Sequence, residues 1–142
     1  MSKIDLKILF TDLGHFINDG IFFLFPILVP FFAKRFDLLP IYAGLLFVIF
    51  YGFSLISTVF VSINADIKGK LGEGISLGLS LMSFSLLLFG ISYLLNDQYA
   101  IILIYISTAI LGIGASYYHP LSASVLNHIA PSNKRGLHLG IN

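Results

Sequence analysis

The sequence predicts an all-α membrane protein with four transmembrane helices. Three observations carry that class. The chain is 57% hydrophobic and only 11% charged, whereas soluble domains carry about 25% charged residues. Its charges are punctuated: 38–65, 74–96 and 98–133 contain no Lys, Arg, Asp or Glu. Each gap exceeds the roughly 20 residues that a helix needs to cross about 30 Å of hydrocarbon. The third observation is the stretch from Ile8 to Phe32, equally long and apolar, which nevertheless carries Asp12, His15 and Asp19.

The same composition excludes several classes. Cysteine is absent, so disulfides and thiolate metal sites are ruled out. A net charge of +1 gives no footprint for nucleic acid. The first apolar stretch is too long for a signal peptide and has no small-residue cleavage site beside it, so it reads as a retained span.

Taken in order, residues 1–142 form one transmembrane helical unit, with helices expected at about 8–33, 41–63, 74–95 and 99–128. Met1 to Lys7 is a short basic-leaning arm. In the first span, Asp12, His15, Asp19, Phe22 and Pro26 fall within a sector of about 80°, so the ionisable groups share one stripe. Pro26 and Pro30 remove backbone donors and favour a bend, which membrane proteins tolerate where neighbours or cavity water satisfy the freed carbonyls.

Lys34 to Pro40 is a tight connection. The second span carries Gly44, Gly52, Ser54, Ser57, Thr58 and Ser62, a small-residue side suited to close helix contact. Asn64 to Glu73 is the most polar connection, with turns at Gly69 and Gly72. The third span offers packing surface at Gly72, Ser76 and Ser80, with Gly74 and Gly78 beside it. The fourth is apolar as far as Leu111 and then small and polar; Thr108, Gly112, Ser116, His119 and Ala123 recur on one face.

Four spans put Lys3, Lys7, Lys68, Lys70, Lys134 and Arg135 on one side and Lys34 and Arg35 on the other. The excess of cations on the first side predicts a cytoplasmic amino terminus in a multi-pass cell-membrane protein.

Ionisable groups at membrane depth are costly, and by default they mark a functional site. Imidazoles titrate near neutral pH, and carboxylates drawn out of water hold their protons more tightly. Asp12, His15, Asn18, Asp19 and His119 are therefore the candidates for a proton relay or polar-substrate site between spans one and four. The competing reading is structural: Asn18 and Asp19 fix helix packing by hydrogen bonds, and His119 satisfies a carbonyl freed by Pro120.

His128 and His138 lie near the expected membrane edge, where histidine costs little. No short ligand spacing links His15, His119 and the carboxylates, so no metal site is expected, and no cofactor is implied. No nucleophile elbow, P-loop or dinucleotide fingerprint occurs, which argues against an enzyme.

The run Asp12, His15, Phe16, Asn18, Asp19, Pro26 and Pro30 resembles the first helix of the fosmidomycin-resistance branch of the major facilitator superfamily. The run Gly112, Gly114, Ser116, Tyr118, His119 and Pro120, followed by Arg135 and Gly136, resembles the fourth helix of that branch and the approach to its fifth, which implies the start of a fifth helix at about 136. Asp66, Gly69 and Lys70 stand where the superfamily carries its cytoplasmic loop between helices two and three.

The resemblance implies a twelve-helix secondary transporter of two six-helix halves, working by alternating access and usually driven by protons. Its site lies near the membrane midplane. On this view the chain corresponds to the amino-terminal part of a proton-coupled exporter of small organic or drug-like compounds. Its partners would be the lipid bilayer, protons, a small-molecule substrate, and either the missing transporter helices or a second chain. Two alternatives stand beside it: a small four-span exporter that oligomerises around its carboxylates, and a non-transporting or degenerate membrane subunit.

Overall fold

A computed structural model of the chain describes residues 3–141. Its helices are α1 (Lys3–Arg35), α2 (Pro40–Lys68), α3 (Leu71–Ser92), α4 (Asp97–Ile129) and α5 (Arg135–Ile141). The first four are long and apolar enough to cross a membrane. Short connections make successive spans antiparallel, although α2 and α3 barely touch and each packs chiefly on α4.

Several helix ends lie beyond the polar boundaries read from sequence. The arm read at Met1 to Lys7 is helical from Lys3, while Met1 and Ser2 lie outside the described residues. The polar segment Asn64 to Glu73 is mostly helical, because charge marks the water boundary and does not by itself stop a helix. Asn64 donates its side-chain amide to the Phe60 carbonyl at 2.9 Å, reinforcing the last turns of α2. The helix stops at Gly69, whose φ of 63° turns the backbone left-handed while its N–H closes on the Ala65 carbonyl.

At the opposite end of the bundle, Asp37 adopts a φ of 48°. The Leu38 N–H reaches back to the Ala33 carbonyl at 3.0 Å, the six-to-one bond of a Schellman stop. Pro40 then opens α2 with its φ already suited to a first helical residue. Helix α1 continues through Pro26 and Pro30, and α4 through Pro120.

The bundle is organised on α4, which packs against α1, α2 and α3. Two close crossings set its position. A Cβ added at Gly78 of α3 would lie 2.9 Å from the Gly114 carbonyl, and one at Gly114 would lie 2.9 Å from the Gly78 carbonyl. On the other side, a Cβ at Gly112 would collide with the Phe50 carbonyl on α2. Backbone approach of this kind is how helices associate in lipid, where apolar surface alone gives no drive between them. Ser85 adds a polar tie from α3, donating to the Ser107 carbonyl of α4 at 2.7 Å.

The packing face of α3 is not wholly the one expected. Gly74 and Gly78 face α4, whereas Gly72, Ser76 and Ser80 are exposed. Both series repeat every four residues, so spacing could not choose between them, and only contact with Tyr117 and Leu121 of α4 does.

An aromatic core closes the half of the bundle that holds the α1–α2 and α3–α4 corners. Phe25 and Phe32 of α1 meet Phe50 and Phe89, with ring centroids 4.7 Å apart for Phe25–Phe50 and 5.1 Å for Phe32–Phe89. Outside, the largest side chains are apolar and exposed, among them Ile41, Val48, Leu55 and Phe60 on α2. That inside-out surface suits hydrocarbon rather than water.

Candidate functional site

The phase of α1 decides which of its polar groups meets a neighbour. Ile8, Thr11, Gly14, Asn18, Phe25, Val29 and Phe32 form its buried face. The stripe of Asp12, His15, Asp19, Phe22 and Pro26 runs along the edge of that face, each residue half-buried. Leu9, Phe16, Phe23 and Ile27 point outward. Asp19 is the central residue of α1, with sixteen helical residues on either side.

On α4, Thr108, Gly112 and Ser116 are buried as one face, but His119 leaves it and is 58% exposed. Three residues advance a helix by about 300°, which sets His119 about 60° round from Ser116. That rotation carries it to α1.

Asp19 lies between two imidazoles. Its Oδ2 is 3.0 Å from His15 Nε2, one turn earlier on α1, and its Oδ1 is 3.4 Å from His119 Nε2. Asn18, fully buried, donates its side-chain amide to Asp19 Oδ1 at 2.9 Å. The two imidazole rings stand nearly perpendicular, 5.3 Å between centroids. His15 Nε2 is buried and close to the carboxylate, yet it is not aligned for a hydrogen bond; Asn18 Oδ1 is likewise buried without a partner. Such atoms are rare in folded proteins and each asks for an explanation. Asp12 lines the same open hollow as His15, Phe16, Asp19, Gly20 and Phe23.

Tyr118 belongs to this assembly, although the sequence reading gave it no role in the site. Its ring stacks on His15, 5.7 Å between centroids and 7° from parallel. Its hydroxyl donates to the Thr11 carbonyl across the α1–α4 contact. Gly14 makes room, since a Cβ there would lie 2.9 Å from the Tyr118 ring. A tyrosine beside His119 and a glycine beside His15 were the available signal: one large and one small residue, each adjacent to a candidate.

The oxygen and nitrogen donors of His15, Asp19 and His119 all lie within 4.8 Å of one another. Spacing along the chain does not reveal this cluster, because His119 lies far from the other two in sequence. The i,i+4 pair His15 and Asp19 was there to be read, whereas His119 is added only by the fold.

Asp66, Gly69 and Lys70 sit at the α2–α3 boundary. Asp66 is exposed in the last turns of α2, Gly69 caps the helix, and Lys70 pairs with Glu73 at 3.1 Å in an exposed contact. Lys70 and Glu73 also border a hollow that continues between α2 and α4 to Ser57, Ile113 and Tyr117.

Comparison with known proteins adds the family. No curated protein and no solved structure matches the chain. The family model described as Major Facilitator Superfamily matches residues 11–142, which takes in most of α1 and every later helix. This multi-pass membrane chain therefore belongs to the Major Facilitator Superfamily, whose members transport solutes across membranes.

Proposed function

We propose that the chain is the amino-terminal part of a proton-coupled secondary transporter of the fosmidomycin-resistance branch, exporting small organic or drug-like compounds by alternating access. It sits in the cell membrane with its amino terminus in the cytoplasm. Asp12, His15, Asn18, Asp19 and His119 form the proton and substrate pathway. Asp66, Gly69 and Lys70 form the cytoplasmic loop between helices two and three.

The observation that carries this reading is the convergence of His15, Asp19 and His119 from two helices at the centre of α1. A carboxylate held by two imidazoles is a proton acceptor with alternative partners, and a packing role needs neither histidine. The exposure of His119 and of Phe16 beside the hollow supports a further wall, supplied by additional helices of the same protein or by a second chain.

Efflux of ethidium and of fosmidomycin from cells expressing the longest natural reading frame that contains this chain tests the reading. Asp19→Asn should reduce pH-gradient-driven efflux to the vector background, while His128→Ala leaves it intact. Efflux unchanged by Asp19→Asn favours a non-transporting role for the polar cluster.

A further inference from the structure

We propose that His15, Asp19 and His119 form a binding site for a borderline divalent cation, Zn²⁺ by the chemistry of the donors. The inference deepens the reading of the same cluster as a transport site, and it rests on that cluster being a binding site.

Zinc bound at about 2.0–2.1 Å by imidazole and carboxylate donors in tetrahedral geometry holds neighbouring donors about 3.3 Å apart. Asp19 Oδ2 stands 3.0 Å from His15 Nε2 and Oδ1 stands 3.4 Å from His119 Nε2, so each carboxylate oxygen meets one imidazole; one donor atom from each residue falls within 4.8 Å of the others, and small side-chain rotations would draw them to that spacing. The nitrogen of His15 that faces the carboxylate is buried and makes no hydrogen bond. It contacts Asp19 Oδ2 without an aligned hydrogen bond, and a neutral imidazole offering that nitrogen's lone pair to a cation between the two groups would satisfy both.

The surroundings do what outer groups do at metal sites, orienting the ligands before the ion arrives. Asn18 holds Asp19 through Oδ1. Tyr118 stacks on His15, and its hydroxyl anchors the ring to the Thr11 carbonyl. The two imidazole rings stand nearly perpendicular, and each nitrogen lies near a different oxygen of the carboxylate. Two imidazoles and a single carboxylate select Zn²⁺ and its transition-metal neighbours over Mg²⁺ and Ca²⁺, which prefer all-oxygen shells. Three protein donors leave a fourth position open to the hollow, where a water or a chelating small molecule would complete the shell.

The test is calorimetric titration of ZnCl2 into the purified full chain in detergent, with X-ray absorption of the zinc-loaded protein. One ion should bind per chain, about ten-fold or more weaker in His15→Gln and in His119→Gln, unchanged in His128→Gln and not displaced by excess Mg²⁺. The absorption spectrum should show nitrogen and oxygen donors at about 2.0–2.1 Å with imidazole scattering behind them. An absence of binding, equal affinity in the His15 and His119 variants, or equal loss in the His128 variant overturns the proposal. If the variants fail to fold, the spectrum of the unaltered chain decides, and a shell of oxygens without imidazole overturns it. The two readings fail separately: no zinc with efflux still lost in Asp19→Asn removes the metal alone, and zinc bound with efflux intact removes the transport role.

Discussion

Asp19 Oδ1 and His119 Nε2 lie 3.4 Å apart, joining the midpoint of α1 to the carboxyl-terminal third of α4. Of His15, Asp19 and His119, the last alone comes from α4, so relative movement of the two helices changes what the carboxylate touches. On the proposed alternating-access reading, that contact would link helix motion to charge state.

If the pair acts as a unit, its substitutions will not add. Asp19→Asn should abolish coupled efflux and His119→Gln should slow it, while the double variant should fall no further than Asp19→Asn alone. Efflux rates across an imposed pH gradient provide the measurement, and strictly multiplicative losses would show the two side chains working independently.

The glycine crossings should be the least forgiving backbone positions. Ala at Gly114 must overlap the Gly78 carbonyl and the Met82 backbone nitrogen, each 2.9 Å from the new Cβ. A loss of about 1–3 kcal/mol is expected from overpacking. Gly90, with nothing within 4 Å of an added Cβ, should accept Ala without loss, since alanine also stiffens the unfolded chain. Thermal unfolding in detergent, compared between the two variants, checks this.

Tyr118→Phe keeps the stacked ring and removes the hydroxyl that reaches Thr11. Stability should fall by only about 0.5–1.5 kcal/mol, the usual net worth of one hydrogen bond. Tyr118→Ala should cost more, because it empties a side chain that is 1% exposed and frees His15 to rotate. Chemical shifts of the His15 ring would separate the variants: nearly unchanged in the first, displaced in the second.

Arg35 and Asp97 meet at 3.3 Å where the α1–α2 and α3–α4 corners come together. Both side chains are substantially exposed, so Arg35→Ala should change stability by no more than about 1 kcal/mol. The difference should shrink as salt is raised. Melting in low and high salt tests this, and a large salt-independent loss would instead point to the packing of Arg35 over the Phe36 ring, 4.8 Å to the centroid.

The excess of cations on one side makes orientation testable in a chain without native cysteine. A single cysteine at Gln98 should react with an impermeant thiol reagent added outside intact cells, and one at Lys68 only after lysis. The reverse pattern would invert the assigned topology.

Much of this molecule is readable without coordinates because hydrocarbon imposes local rules. Every backbone polar group must be satisfied within its own helix, so apolar runs between charges translate directly into α1 to α4. The stripe of Asp12, His15 and Asp19 is equally local, since 100° per residue fixes which side chains share a side. What no local rule supplies is the rotation and depth of one helix against another. Gly74–Gly78 and Gly72–Ser76–Ser80 have the same spacing, and only the crossing with α4 determines that the first pair is covered.

The site depends on the same information. His119 meets Asp19 because the Gly78–Gly114 and Gly112–Phe50 approaches hold α4 at one rotation, and a single-residue slip would turn it about 100° away. Sequence alone thus determined the spans and the polar stripe along α1, both of which follow from short-range geometry. The tertiary structure decided that an imidazole from α4 completes the cluster and that Tyr118 braces it, because close packing between backbones distant in the chain sets those positions.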